Sequence, residues 1–461
     1  MARAVPLATS RTQPHTSGTG RSHPNYITLP LQCISNRIPF LLAVIKASLK
    51  LSMATNPRPI LSTQVSTPTE RQEWRARRLK CPLPIITAIP KIELHVHIEG
   101  TLSPSLRWKF SQKHKIPLTK GAAKIPLTSL SAVREVYTQI RGRIGAASAE
   151  GRECFPFFEI YYGGFELLRD EDDYYELAKE YFERAAEMGV VYCEVFFDAQ
   201  GHTRRGVGMD VLMGGFRRAQ VYAEEHLKVS QFFILQGLIG KQVENSKVKS
   251  QWIMCILRDM SPESAIEAFE AALPYRDMIV GIGLDSDELD RPPKLFEAVF
   301  RRARDDGFKI TTHCDFNQKD THEHIRQVAE DLGGSGADRI DHGMNTADRD
   351  KLMNLIKVKD IGMTICPCAY IRHTPESEVF PRIKKLFDAG IKITIASDDP
   401  AYMEDNWVLH NLYLVREKCE FKDQDMMQLQ RNAVEVCWAS DDVKEDLFGK
   451  LDEFERTYLK T

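Results

Sequence analysis

Side chains suited to metal-assisted hydrolysis stand at four places along this chain, each at the end of an apolar run. They are His95, His97, His313, Asp341, His342, Ser397, Asp398 and Asp399. His95 and His97 are two residues apart, so the alternation of an extended strand puts both imidazoles on one face. Three imidazoles and a carboxylate suit zinc and leave one position for water. The pattern therefore predicts a hydrolytic metal site.

The chemistry of such a site follows from the ion. Bound zinc lowers the pKa of water to about 7, which makes hydroxide available at neutral pH. His342 would then stand beside the ion as a proton partner or as a stabiliser of developing negative charge. We expect one zinc per chain, because the fourth apolar run, "MIVGIGLDSDE", has no Lys that could bridge a second ion.

Eight short apolar runs alternate with amphipathic stretches from residue 91 onward and must position these side chains. They cover residues 91–98, 190–198, 231–240, 278–286, 308–315, 338–344, 362–369 and 391–399. Such alternation predicts an α/β fold, a (β/α)8 TIM barrel, in which functional groups gather at the C-terminal ends of the strands. An open doubly wound sheet is the alternative, but no GxGxxG or P-loop motif marks its phosphate site.

The chain divides into two predicted parts. Residues 81–461 form the metal-dependent barrel domain, with residues 101–189 as a long helical insertion after the first strand. Residues 1–80 form a disordered N-terminal extension, because the segment is rich in Ser, Thr, Gly and Pro.

The N-terminal segment leaves two readings open. An acid-free, Arg- and Ser-bearing start fits an organelle transit peptide. Met53 would serve as an ordinary cytosolic start if residues 1–52 are an artefact of the gene model. We prefer the second reading and expect a cytoplasmic protein. The run "IPFLLAVI" is too short to cross a bilayer, so no membrane partner is expected.

Charge and cysteine content exclude some classes of protein. The chain has 62 Lys and Arg and 64 Asp and Glu, but residues 1–69 hold seven of the basic residues and none of the acidic ones. The remainder therefore has nine more acidic than basic residues, which argues against nucleic acid as a partner. The ten cysteines are scattered without a CxxC pair, which favours a reducing compartment.

Residues 196–206 and 281–308 resemble the adenine deaminase-like branch of the adenosine and adenine deaminase family more than its nucleoside enzymes. Four segments taken together carry the resemblance to this family of the amidohydrolase superfamily. They are "ELHVHIEGTL", "GIGLDSDE", "RIDHG" and "ASDDP", in this order. The resemblance covers roughly residues 88 to 440 and implies hydrolytic deamination of a small 6-aminopurine, with release of ammonia.

The resemblance also implies roles for individual residues. It implies that zinc is bound by His95, His97, His313 and Asp398, and that His342 steers the hydroxide. His97, Ser286 and Asp399 would contact the substrate, Ser286 through its backbone N–H and Asp399 at a purine ring nitrogen. The oligomeric state is left open.

Two departures from the family pattern separate this chain from its relatives. The family's His-x-x-Glu motif, whose Glu moves protons, is "HCDF" here, so Phe316 occupies the position of the Glu. Asp315 is the leading substitute because alternation puts it on the His313 face. Asp320 and Glu323 are weaker candidates, since they fit the start of the next helix.

The second departure lies in the seventh run, where the family's Cys-Pro-x-Ser-Asn is "CPCAY", with Tyr370 at the Asn position. We interpret Cys366 and Cys368 as packing residues, because the His and Asp ligand set is already complete. "CPC" also lacks the HxE and PCxxC pattern of cytidine-type zinc deaminases.

Three functions therefore remain open. The first is a zinc-dependent deaminase of adenine, adenosine or a close analogue, with Asp315 and His342 as catalytic groups. The second is an amidohydrolase acting on another aminated heterocycle. The third is a catalytically silent purine-binding homologue that lacks a proton carrier because of Phe316.

Overall fold

A closed barrel of eight parallel strand positions lies at the centre of the computed structural model, which describes residues 61–121, 123–141, 154–235, 238–243 and 247–459. In chain order the strands are β1 (Lys91–His97), β2 (Thr119–Lys120), β3 (Ile125–Pro126), β4 (Ile140–Arg141), β5 (Phe155–Pro156), β6 (Val190–Phe197), β7 (Ser230–Leu235), β8 (Leu238–Val243), β9 (Lys249–Leu257), β10 (Ile279–Asp285), β11 (Lys309–Ile310), β12 (His313–Cys314), β13 (Arg339–His342), β14 (Gly362–Ile365) and β15 (Ile393–Ile395).

Helices surround the barrel and follow most of its strands. They are α1 (Pro68–Lys80), α2 (Pro84–Ala88), α3 (Pro104–His114), α4 (Leu130–Thr138), α5 (Phe157–Phe165), α6 (Glu171–Glu187), α7 (Ala199–Thr203), α8 (Met209–His226), α9 (Pro262–Ala272), α10 (Glu297–Asp305), α11 (Thr321–Glu330), α12 (Asp350–Val358), α13 (Pro367–Tyr370), α14 (Glu376–Asp388), α15 (Val408–Lys418), α16 (Asp423–Val436) and α17 (Asp441–Tyr458). Ser261 caps α9 by accepting a hydrogen bond from the N–H of Ser264, a role for which Ser is favoured.

The barrel closes through two parallel sheets. One has the order β1-β6-β9-β10-β11 and the other β12-β13-β14-β15. β11 and β12 are two parts of the fifth barrel strand. Between them, the N–H of Thr311 donates to one neighbouring strand, and the carbonyl of Thr312 accepts from the other. On the opposite side the N–H of His97 donates to the carbonyl of Asp398 at 3.0 Å. The predicted (β/α)8 barrel is therefore confirmed.

One predicted strand is wrong. The run at residues 231–240 does not enter the barrel, because β7 and β8 pair with each other as an antiparallel hairpin. The third barrel strand is β9, which pairs in parallel with β6 on one side and β10 on the other. β9 begins with three successive polar residues, Lys249, Ser250 and Gln251, so the hairpin is the more apolar segment of the two.

The predicted insertion after β1 is helical, as expected, and contains α3 to α6. The expectation for residues 1–80 is wrong for residues 68–80, which form α1. Thr67 caps that helix in a capping box, and Arg71 pairs with Glu404 at 2.6 Å with both side chains buried. The rest of the predicted disordered extension, residues 1–60, lies outside the described residues.

Barrel strands are buried along nearly their whole length, as expected for parallel strands covered by helices. The interior also holds charges in pairs, such as Arg339 and Glu194, which are 2.6 Å apart and fully buried. Within the described residues, no helix is both long and apolar enough to span a bilayer.

Candidate active site

Four predicted metal ligands converge at the C-terminal ends of the barrel strands. The ring nitrogens Nε2 of His97 and His313 lie 3.1 Å apart. Oδ1 of Asp398 is 3.7 Å from Nε2 of His95 and 3.9 Å from Nε2 of His97. All four side chains are buried. The structure therefore gathers the three imidazoles and places the carboxylate of Asp398 beside two of them.

The hydrogen bonds behind His95 leave its inward nitrogen free for a metal. The hydroxyl of Thr364 donates to Oδ1 of Asp341 at 2.9 Å, so its oxygen accepts from Nδ1 of His95 at 2.8 Å. Nε2 of His95 then carries a lone pair, and this buried atom has no hydrogen-bond partner among the described residues. A buried, unpartnered acceptor in an imidazole and carboxylate set is what a zinc ligand requires.

The same carboxylate lies near a second imidazole. Oδ2 of Asp341 accepts a hydrogen bond from the hydroxyl of Thr311 at 2.7 Å and lies 3.6 Å from Nδ1 of His313. Burial lowers the pKa of His95 and His313, and it lowers that of His97 to about 3. The three rings are therefore held neutral, which is the form that binds a metal ion.

Asp315 and His342, the two predicted catalytic residues, are in contact. Oδ1 of Asp315 lies 3.1 Å from Nε2 of His342, and Oδ2 of Asp398 lies 4.0 Å from the same nitrogen. His342 is buried, whereas the carboxylate of Asp315 is partly exposed. Asp315 thus stands between the metal ligands and solvent, where a proton carrier must stand.

The other two candidate carboxylates are not in the site. Glu323 pairs with Arg326 on the outer face of α11 at 2.7 Å, and those hydrogen bonds lower its pKa to about 2. Asp320 is exposed and makes no capping hydrogen bond, although it precedes α11. Neither side chain approaches His342.

Two residues that the sequence analysis missed hold the segment between the metal ligand and Asp315. Arg258, after β9, donates to the carbonyl oxygen of His313. Glu288 accepts from the backbone N–H of Asp315 at 2.6 Å and lies 3.1 Å from Arg258. Burial alone would raise the pKa of Glu288, but Arg258, His324 and this N–H hold it below its ordinary value. Arg258 and Glu288 therefore clamp both ends of this short segment.

Three predicted site residues, one from each of the substrate, catalytic and metal sets, lie on strained strand ends. Ser286, His342 and Asp398 have φ angles of 72°, 61° and 68°. Residues other than Gly rarely adopt this left-handed region, and when they do they cluster at functional sites. The hydroxyl groups of Ser286 and Tyr162 of α5 are 2.7 Å apart. The insertion therefore covers the strand end at which Ser286 is found.

The backbones of Gly100 and Asp399 approach each other closely. A Cβ atom at Gly100 would lie 2.1 Å from Oδ1 and 2.7 Å from Cα of Asp399, so only Gly fits there. Oδ1 of Asp399 is buried without a hydrogen-bond partner among the described residues. Asp399 thus offers a free polar atom beside the ligand set.

The two departures in the sequence are adjacent in space. The rings of Phe316 and Tyr370 meet edge to face with their centroids 5.9 Å apart, and both are buried. Cys366 and Cys368 belong to the main hydrophobic core, and burial raises the pKa of both thiols. Both cysteines therefore pack in the core as thiols. Sγ of Cys366 also lies within 4.8 Å of ring nitrogens of His95 and His342, so its assignment as a packing residue rather than a ligand stays a prediction.

Position at a strand end is a signal that could have pointed to Arg258, but no signal in the sequence points to its pairing with Glu288. Arg258 directly follows the barrel strand β9, which the sequence analysis did not identify, so its position at a strand end was not considered. Glu288 ends the quoted "GIGLDSDE" segment, but nothing local to the sequence shows that its partner is Arg258.

Comparison with known proteins agrees with this geometry. Residues 90–454 match the family described as adenosine deaminase. An uncharacterised deaminase of Schizosaccharomyces pombe is 37% identical over 373 residues, covering 81% of this chain and 98% of the relative. The adenine deaminase of Psychrobacter cryohalolentis is 33% identical over 374 residues, covering 80% and 98%.

A solved structure has the same architecture. The crystal structure of adenine deaminase from Arthrobacter aurescens matches with a TM-score of 0.65 and 27% sequence identity. The match covers 80% of this chain and all of that one. The similarity thus spans the barrel and its insertion rather than a single motif.

Proposed function

The chain belongs to the adenosine deaminase family, a family of hydrolases that act on C–N bonds, and on that premise we propose that it is a zinc-dependent deaminase of a 6-aminopurine. Adenine, adenosine or a close analogue would be the substrate, and ammonia the leaving group. The observation that carries the proposal is the convergence of His95, His97, His313 and Asp398 beside the Asp315 and His342 pair.

Zinc is the ion that this donor set fits. His95, His97, His313 and Asp398 would hold it, and when bound it would make water nucleophilic near neutral pH. The buried free nitrogen of His95 supports this assignment, as does the second layer formed by Asp341 and Thr364. We propose one ion per chain.

Asp315 and His342 would carry out the proton chemistry. His342 presents Nε2 to the ligand set, so it would donate to the attacking oxygen and stabilise negative charge that develops there. Asp315 would take a proton from the water and deliver a proton to the purine ring, the task of the family's Glu. The 3.1 Å contact with His342 supports this role, because both groups can then reach one reacting oxygen.

Three residues would bind the base. Ser286 follows β10 with a positive φ, and its backbone N–H would donate to a ring nitrogen. Asp399 would meet another ring nitrogen through its unpartnered oxygen. His97, from the ligand set, would line the same slot. An apolar slot with a few placed polar groups is typical of small-molecule sites.

An ammonia-release screen over 6-aminopurines and their nucleosides, combined with zinc analysis, tests the proposal. Ammonia from a 6-aminopurine with about one zinc per chain supports it. Zinc with hydrolysis only of other ring amines would indicate an amidohydrolase of different specificity. Zinc and purine binding without turnover would indicate the silent binding protein that Phe316 raises as an alternative.

A further inference from the structure

The hydroxyl of Tyr370 connects the polypeptide backbone to His342. Its oxygen accepts a hydrogen bond from the N–H of Cys366 at 3.1 Å and lies 2.8 Å from Nδ1 of His342. Tyr370 is 2% exposed, so water does not compete for either contact. The aromatic ring that replaces the family's Asn in the sequence is therefore directly behind a predicted catalytic imidazole.

The donors and acceptors at this junction determine which atom carries each hydrogen. A backbone N–H can only donate, so Cys366 uses a lone pair of the Tyr370 oxygen. The phenolic hydrogen must then find an acceptor, and Nδ1 of His342 is the one within reach among the described residues. Burial holds the pKa of Tyr370 well above its ordinary value, so this hydrogen stays in place.

The other side of the imidazole agrees with this arrangement. If Nδ1 accepts, the neutral ring carries its hydrogen on Nε2. Nε2 lies 3.1 Å from a carboxylate oxygen of Asp315, which can accept that hydrogen, and 4.0 Å from the carboxylate of Asp398. We propose that Tyr370 is a positioning residue that fixes His342 in the tautomer with hydrogen on Nε2, aimed at Asp315 and the reacting oxygen.

Phe316 supports the tyrosine from the side. Its ring packs against that of Tyr370 at an interplanar angle of 61°, and the guanidinium of Arg382 lies 5.4 Å from the centre of the Phe316 ring. Phe316, which replaces the family's Glu, thus packs against Tyr370, which replaces the family's Asn. The two departures form one unit behind His342.

The role in turnover rests on the proposed function. A preorganised N–H donor at the point where negative charge develops lowers the barrier without reorganisation during the reaction. Without the Tyr370 hydroxyl, Nδ1 would lose its donor, and the tautomer with hydrogen on Nδ1 would become populated. That tautomer presents a lone pair to Asp315 and cannot donate to the reacting oxygen.

Tyr370→Phe tests the assignment, because it keeps the ring and removes the hydroxyl. We expect kcat/KM to fall about 5- to 30-fold, mainly through kcat, the effect of one buried hydrogen bond to a reacting group. Zinc content should not change. Tyr413→Phe is the matched control: Tyr413 is also buried and its hydroxyl also accepts from a backbone N–H, that of Leu83 at 3.1 Å. The control should stay within about 2-fold of wild type.

Nitrogen NMR of protein labelled with ¹⁵N-histidine tests the tautomer without any substrate. The His342 signals, identified by their loss in His342→Gln, should show hydrogen on Nε2 in the wild type and a mixture of tautomers in Tyr370→Phe. Hydrogen on Nδ1 in the wild type would overturn the proposal, as would unchanged turnover and tautomer in Tyr370→Phe. Because this measurement needs no turnover, failure of the proposed function would not affect it.

Discussion

The carboxylate oxygen Oδ1 of Asp315 lies 3.1 Å from Nε2 of His342, across two adjacent strands of the barrel. Asp315 follows β12, and His342 is the last residue of β13. Phe316 occupies the position where the family carries its Glu, and we propose that Asp315, through this contact, takes over the task of that Glu.

Asp315→Asn should abolish most turnover. The amide cannot act as a general base, and loss of such a group costs about 100-fold or more in kcat. Zinc content should be unchanged, since Asp315 is not in the ligand set. Measurement of ammonia release and of bound metal on the same sample tests both statements. Asp320→Asn, an exposed site five residues later, is the control; an active Asp315→Asn enzyme would remove Asp315 from the mechanism.

His95→Ala combined with His97→Ala should remove the metal. Two of the four ligands are then missing, and the remaining two bind zinc too weakly to retain it in dilute solution. Elemental analysis of the purified protein measures the result. His226→Ala, at an exposed histidine, and Cys366→Ala should keep about one zinc per chain. Normal zinc in the double variant would refute the ligand assignment, and loss of zinc in Cys366→Ala would bring thiolate ligation back.

Glu288→Gln should destabilise the protein strongly. The variant keeps a side-chain oxygen for the N–H of Asp315 but leaves the fully buried Arg258 without a counter-charge. Breaking a buried ion pair in this way costs about 3–5 kcal/mol of unfolding free energy. Chemical denaturation measures the loss. Glu297→Gln breaks an exposed pair with Arg301 and should cost less than about 1 kcal/mol; equal losses in the two variants would contradict the clamp.

Gly100→Ala should weaken substrate binding. The new Cβ would displace Asp399, whose Oδ1 and Cα lie 2.1 Å and 2.7 Å from its position. KM for the preferred purine should rise, with zinc content unchanged. Gly449→Ala, where a Cβ meets open space, is the control for the change of residue type. A normal KM in Gly100→Ala would show that Asp399 does not contact the base.

Lys91→Met should stabilise the protein in a pH-dependent way. Burial lowers the pKa of Lys91 to about 7 in the folded chain, against about 10.4 when unfolded. Between about pH 7 and about pH 10.4, Lys91 is protonated in the unfolded chain but not in the folded one, so the stability of the wild type rises with pH. Below about pH 7 the buried Lys91 is charged in the folded chain as well, and the full cost of its burial applies. The variant avoids that penalty and should gain about 1–3 kcal/mol near pH 7.

The advantage of Lys91→Met should shrink as pH rises toward 10. Denaturation curves at several pH values measure it against Lys359→Met, which replaces a lysine on the surface. A stability difference that is constant across this pH range would mean that Lys91 keeps its ordinary pKa in the fold.

The sequence predicted the groups whose position depends on strand ends. His95, His97, His313, His342 and Asp398 could be identified because a parallel barrel brings the C-terminal ends of its strands together whatever lies between them. Asp315 followed from the alternation of side chains along one strand. These inferences need only local periodicity and the topology of the fold.

What could not be predicted depends on contacts between distant segments. Arg258 and Glu288 form a pair across two strands, and the sequence around either residue does not indicate that the other is its partner. α1 looked like part of a polar extension because its stabilising partner Glu404 is more than 300 residues away. The third strand was misplaced because the hairpin of β7 and β8 is the more apolar run.

The division of the barrel into two sheets has a consequence for assembly. β1, in the first sheet, contributes two imidazoles, whereas the second sheet contributes His313 and, after β15, the carboxylate of Asp398. Neither half of the chain contains a complete ligand set. If the halves were produced as separate fragments, tight retention of zinc would report that they had joined into a whole barrel.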